Sequence, residues 1–214
     1  MLNETYEIQK DEASKYVYLH PKKGHDTTLI FLHGVQNCAE NQIDMFLNNG
    51  IVPETCRVVL PNAPMAKVTM YGEVCTSWLD MYALGVDRNR KEEVEADFNQ
   101  EDAMASALLV LNLVDLEKQK FEDQNISRIY LAGFSQGCMI TLAAYLMHQG
   151  PSPLGGVIGL GGNQVLDVSK IDGNQEDMTL LRKSTPLFLY HGEADDIVKI
   201  KNAEMTYQIF KDIH

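Results

Sequence analysis

An α/β domain, with a mostly parallel central sheet and helices on both faces, is what this sequence predicts, and three observations carry that expectation. Short apolar runs recur along the chain: TTLIFL at 27–32, RVVL at 57–60, GGVIGL at 155–160 and PLFLY at 186–190. Such runs suit strands buried on both faces of a parallel sheet. Segments with helical spacing separate them, and that alternation favours parallel pairing through crossovers. Between residues 126 and 142, ISRIYLAGFSQGCMITL passes from a β-branched stretch through a glycine turn into an apolar helix.

With 214 residues the chain suits one domain spanning 1–214, and no linker or repeat divides it. Its 45% hydrophobic and 22% charged residues describe an ordinary globule. A net charge of −12 argues against nucleic acid and anionic membrane surfaces as electrostatic partners. Four cysteines (Cys38, Cys56, Cys75, Cys138) lack paired spacing, which fits free thiols in a reducing compartment. The first fifteen residues are polar and acidic-leaning, unlike a secretion signal, and no run reaches transmembrane length. The expectation is a cytoplasmic protein with no integral membrane segment.

In chain order, 16–20 reads as a strand and 21–24 as a turn. The strand at 27–32 ends in His33-Gly34-Val35. His33 alone reads as a packed structural histidine rather than a ligand, and Gly34 allows the close backbone approach that makes the Val35 N–H available as an oxyanion donor. Residues 41–47 look helical, and the strand at 57–60 runs into Pro61-Asn62-Ala63-Pro64, stiffened by its prolines. Ser77-Trp78-Leu79-Asp80 carries the only tryptophan, which reads either as a loop anchor or as a substrate-facing ring. Residues 86–116 read as one long amphipathic helix with Val94, Phe98, Ala105, Leu108 and Leu111 as its stripe and a solvated acidic face. The glycines around 155–160 lack the register of a nucleotide loop. Residues 167–183 form a polar insertion with some helix. The strand at 186–190 ends in His191-Gly192-Glu193-Ala194-Asp195-Asp196, and 197–213 closes as a helix with Ile200, Ala203, Tyr207 and Phe210 on one side.

Chemistry singles out Gly133-Phe134-Ser135-Gln136-Gly137. A nucleophilic serine has to be lifted off the sheet on a sharp strand-to-helix turn, with glycines where backbones crowd. The N–H of Gln136 then sits at a helix N-terminus, where free donors favour an oxyanion. The histidines do not cluster at ligand spacing, so neither a metal nor an organic cofactor is expected.

LIFLHG at 29–34, PNAP at 61–64, Val68-Thr69, SWLD at 77–80, AGFSQG at 132–137 and HGEAD at 191–195 occur in that order. Together they resemble the acyl-protein thioesterase and phospholipase/carboxylesterase family of α/β-hydrolases, from about residue 27 onward. The resemblance implies an α/β-hydrolase fold and a serine hydrolase of acyl thioesters or carboxylic esters. Acylated protein cysteines, lysophospholipids and small acyl esters would be its substrates. Ser135 would be the nucleophile, Val35 and Gln136 the oxyanion donors, and Asp195, not the neighbouring Asp196, the acid. Trp78, Val68 and Met70 would line the acyl site. The family's base is a histidine one further strand beyond the acid. His214 follows a helix that runs about 20 Å back from the site at 1.5 Å per residue. His33 and His191 belong to turn motifs. The expectation is therefore a fold lacking its C-terminal strand and helix, with the catalytic histidine missing. A non-catalytic acyl-binding or scaffold protein of the same fold is the alternative. Val35-Gln36-Asn37 and Cys138 also depart from the family pattern.

Overall fold

The computed structural model describes residues 4–167, 169, 171 and 175–213. Among them, seven strands form one sheet in the order β1-β2-β4-β3-β7-β8-β9, where β1 is Tyr6–Lys10, β2 Val17–Pro21, β3 Thr27–Leu32, β4 Cys56–Leu60, β7 Ile129–Phe134, β8 Gly156–Leu160 and β9 Leu187–Tyr190. The strands from β4 to β9 pair in parallel, and β1 and β2 add an antiparallel margin. The expected α/β architecture is present. The central strands β3 and β4 are buried almost throughout, as their unbroken apolar runs require.

Helices α3 (Gln100–Lys118) and α4 (Gln136–Met147) pack against β3 and β7, and α4 also packs against β8. They enclose the larger core, which includes Ile30, Leu32, Ile129, Leu131, Met139 and Leu142. α1 (Ile43–Asn48) covers the opposite face, with Phe46 edge-on to Phe31 at 5.4 Å. That second layer is partial. Phe134, Phe188 and Tyr190 stay exposed on the β7–β9 side. α5 (Gln175–Ser184) and α6 (Ile200–Ile213) contact each other, and Phe210 of α6 packs against Tyr145 of α4 at 5.7 Å.

Several expectations need correction. The helix read over 86–116 is two helices, α2 (Lys91–Glu95) and α3, because the backbone between them pairs with another segment. Tyr82 N–H donates to Asp97 O, Asn99 N–H donates to Asp80 O, and the Asn99 side chain caps α3 by accepting from Asp102 N–H. Arg88 grips Asp97 from the other side. Of the expected stripe, Ala105 and Leu108 face solvent; Ala103, Ala107, Val110 and Val114 make the buried face instead. Ile126 lies in a 3₁₀ turn, and the strand begins at Ile129. Two elements were not foreseen: β1, and the hairpin of β5 (Met65–Val68) and β6 (Glu73–Thr76).

At the amino ends of the parallel strands, the buried Arg57 of β4 meets the buried Glu117 in the last turn of α3, Nε to Oε2 at 2.8 Å and Nη2 to Oε1 at 3.2 Å. Arg57 also stands 5.0 Å over the Tyr18 ring and donates to His20 Nδ1. A carboxylate at a helix C-terminus is disfavoured by the helix dipole, so Glu117 relies on this fork. Removing one partner would strand a buried charge. We expect Glu117→Ala to lower the unfolding free energy by about 3–5 kcal/mol in chemical denaturation. A loss below about 1 kcal/mol would show the pair to be energetically idle.

Candidate active site

Ser135 stands between β7 and α4 with φ 55° and ψ −120°, a conformation L-residues rarely adopt. Its N–H donates to Leu160 O of β8 at 2.9 Å, and its carbonyl accepts from Met139 N–H at 3.2 Å, so both ends of the bend are tied down. The flanking glycines answer to crowding. A Cβ on Gly133 would lie 2.3 Å from Gly137 O, and one on Gly137 would lie 2.1 Å from Leu32 O. Gly162, after β8, has the same constraint, 2.6 Å from Ser135 O. Ser135 is half-buried and its side chain makes no capping bond. Cys138, one turn along α4, is no rival nucleophile, because burial pushes its thiol up to about 12.

Two backbone N–H groups near this serine have no hydrogen-bond partner among the described residues: Gln136, first residue of α4, and Val35. A Cβ built on Gly34 would come 3.4 Å from Ser135 Cβ, so the His33-Gly34-Val35 loop runs beside the serine. His33 is buried, and both ring nitrogens are taken. Nε2 accepts from Ala63 N–H at 3.1 Å, and Nδ1 donates to Gly34 O at 2.7 Å. Burial holds its pKa below the ordinary imidazole value, which keeps it neutral near pH 7. His33 is thus a packed histidine, as expected.

Trp78 is only 1% exposed. Its Nε1–H donates to His33 O at 2.8 Å, and its backbone N–H donates to Gln136 Oε1 at 2.7 Å. Gln136 Nε2 donates onward to Ser77 Oγ and Leu79 O. The expectation that Trp78 lines the acyl site is corrected: the ring is a loop anchor, with no free face. Val68 is fully buried and corrected likewise, whereas Met70 is partly exposed. Asp80 fixes that segment by accepting from the Thr69 N–H and hydroxyl, each at 2.6 Å. The sequence reading missed Phe134. It is 54% exposed, and its ring flanks Gly34 and Gly161, which puts an apolar surface beside Ser135. An aromatic residue between the elbow's glycine and serine was the available signal.

Asp195 follows β9 at the same carboxyl edge of the sheet, where Gly161 N–H donates to Tyr190 O at 2.9 Å. Its Oδ1 accepts from Ile197 N–H at 2.8 Å and Val198 N–H at 2.9 Å, which fixes the carboxylate. Asp196 instead points to solvent and pairs with Lys199. His191 lies 3.5 Å from Asp195 Oδ2, but its Nε2–H donates to Val198 O at 2.6 Å. The remaining described histidines are likewise occupied: His20 with Arg57 and Gln9, His25 with Thr28, and His148 with Ser152 O. Among the described residues no imidazole bonds Ser135, His191 Nδ1 is buried without a partner, and His214 lies outside the described residues. A cleft of about 490 Å³ opens near the Val35 loop, lined by Lys10, Lys15, Cys38, Asn62, Met65 and Thr76, without Ser135. Among the described residues no His, Cys, Asp or Glu cluster could hold a metal ion, and no helix is long and apolar enough to cross a membrane.

The strained bend predicts its own relief. Ser135→Gly should raise the unfolding free energy by about 1 kcal/mol relative to Ser135→Ala, because glycine alone accepts that φ without cost. Equal stability of the two variants, measured by denaturant titration, would show that the bend stores no strain.

The sequence profile of the phospholipase/carboxylesterase family matches residues 15–214. Acyl-protein thioesterase 1 of Emericella nidulans is 32% identical over 198 residues, covering 89% of this chain and 78% of that protein. The enzyme of that name from Yarrowia lipolytica is 29% identical over 195 residues, with the same coverage of both chains. Among solved structures, Zea mays acyl-protein thioesterase 2 superposes with a TM-score of 0.74 at 22% identity, covering 93% of this chain and 84% of that one. A phospholipase/carboxylesterase from Dyadobacter fermentans does so at 0.60 and 20% identity, covering 97% and 84%. The profile match over most of the chain, with α/β-hydrolases as structural neighbours, shows that this chain belongs to the phospholipase/carboxylesterase family of α/β-hydrolases.

Proposed function

We propose that this chain is a serine hydrolase that cleaves acyl thioesters or carboxylic esters through an acyl-enzyme at Ser135. The observation that carries the reading is the strained serine beside two unpaired amide donors, Val35 and Gln136. In this mechanism the Ser135 hydroxyl attacks the acyl carbonyl. Its oxygen, turning negative, is held by the two N–H groups, which stabilise the transition state more than the substrate. A thiol or alcohol leaves, and water then releases the acid. Serine is a poor nucleophile until a base takes its proton, and Asp195 orients that base and stabilises its cation. The base in this reading is a histidine from outside the described residues, because none of the described imidazoles bonds Ser135. Phe134 and Met70 offer apolar surface to the acyl chain.

Acylated protein cysteines, lysophospholipids or small acyl esters are the substrates this reading favours, in keeping with the names of the related thioesterases. A cytoplasmic location fits the four free cysteines. One observation favours a second reading: with no described histidine bonded to Ser135, the chain would be a non-catalytic acyl-binding or scaffold protein of the same fold.

A fluorophosphonate probe separates the two. The longest chain that the coding sequence encodes should label at Ser135, lose labelling in Ser135→Ala, and hydrolyse a medium-chain thioester. The 214-residue chain beside it tells where the base lies: turnover roughly 10⁶-fold slower places it beyond residue 214, and equal turnover places it within the chain. If neither form labels or turns over, the hydrolase reading falls and the acyl-binding one stands.

A further inference from the structure

Buried polar groups pack behind the serine. Three buried side chains there link the segments that carry the Val35 and Gln136 amides. Gln136, whose own N–H is one donor, accepts from Trp78 N–H through Oε1. Trp78 donates from Nε1 to His33 O, and its ring lies 5.3 Å from the His33 ring. His33 donates from Nδ1 to Gly34 O. The tautomer is settled by the partners. Ala63 N–H can only donate, so Nε2 accepts and the proton sits on Nδ1.

The last of these bonds controls the second donor. Gly34 O and the Val35 N–H belong to one planar trans peptide and point in opposite directions. Holding the carbonyl therefore aims the N–H. Asn37 N–H reaches the same oxygen at 3.3 Å, a longer contact than the 2.7 Å from His33. Among the described residues Val35 N–H has no partner of its own to hold its direction, and the next residue, Gln36, has a φ of 60°. Gln36 N–H to Thr76 O at 2.9 Å and Trp78 Nε1–H to His33 O pin the flanking peptides, but without the imidazole the Gly34 carbonyl itself would keep only the long bond from Asn37.

We propose that His33, Trp78 and Gln136 form a buried brace that keeps the Val35 and Gln136 amides in register, with His33 as the positioning residue that aims the Val35 N–H. The inference rests on the hydrolase reading for its catalytic meaning, though the geometry of the brace does not. His33 touches no reacting atom.

Two substitutions divide the imidazole's bonds between them. Asn places its amide nitrogen where Nδ1 stood, so His33→Asn keeps the bond to Gly34 O and loses Ala63. Gln places its oxygen where Nε2 stood, so His33→Gln keeps Ala63 and loses Gly34 O. Each forfeits one ring bond and the ring contact with Trp78, so their thermal midpoints should fall by similar amounts. Fluorophosphonate labelling of Ser135 in the longest encoded chain should separate them. The Asn variant should retain labelling within about threefold of the parent, and the Gln variant should lose roughly 10- to 100-fold, the scale of a misplaced oxyanion donor. In ¹H–¹⁵N spectra without probe, the Val35 and Gln136 amide signals should hold position in the Asn variant and move together in the Gln variant. If labelling merely follows the thermal midpoint, or both variants lose it equally, His33 is structural and the proposal fails. If the parent chain does not label, the hydrolase reading is lost. The amide signals then decide the brace: joint movement in the Gln variant alone supports it, and any other pattern overturns it.

Discussion

Four backbone segments converge at Ser135, and the distances there leave no room for a single additional carbon. The end of β3, the bend from β7 into α4, the first turn of α4 and the loop after β8 meet so closely that side chains at Gly133, Gly137 or Gly162 would fall 2.1–2.6 Å from main-chain atoms. Real Cβ atoms do not approach so near, so the glycines are a condition of the fold at this point. The consequence is chemical. Crowding forces the serine into its positive-φ bend, and helix α4 starts immediately after it, which leaves the Gln136 N–H unpaired. Strain of this kind persists only where surrounding bonds over-determine it, and here Leu160 O and Met139 N–H hold both ends.

Behind the bend, polar groups do the work that apolar packing cannot. Trp78 is held at its indole N–H by His33 O, at its backbone N–H by Gln136 and at its carbonyl by Ser106. Each bond alone contributes only about 1 kcal/mol, but leaving any one of these buried groups unpaired would cost more than that. The segment 77–80 therefore has one low-energy position, and it fixes β3, α3 and α4 relative to one another. On the hydrolase reading proposed above, this rigidity would preorganise the Val35 and Gln136 donors, so that nothing need rearrange when charge develops on a substrate oxygen.

How much of this was legible in the sequence depends on how local the cause is. The elbow was readable because glycine, serine and glycine fall within five residues and the strand and helix adjoin them. The buried strands were readable because burial on both faces leaves unbroken apolar runs. Trp78 was not placed, since its environment is assembled from His33, Ser106 and Gln136, distant in sequence. The helix at 86–116 misled for a related reason: its polar and apolar spacing continues across 96–99, but those residues bond to 80–82 instead. β1 left little trace because only Tyr6 of its five residues is buried. The hairpin β5–β6 exposes Met65 and Val74 and buries only Val68 fully, so its pattern shows no alternating buried face. Asp195 is singled out in the sequence only by the family resemblance, and the amides of Ile197 and Val198 that clamp its carboxylate leave no sequence trace.

The central claim is that Ser135 is set so that an oxygen built on it falls between the Val35 and Gln136 amides. A crystal structure of the phosphonylated longest chain measures this directly. The account predicts the phosphonyl oxygen about 2.7–3.1 Å from both nitrogens, with the bend at Ser135 unchanged. An oxygen turned to solvent, with either nitrogen beyond about 3.5 Å, would contradict it.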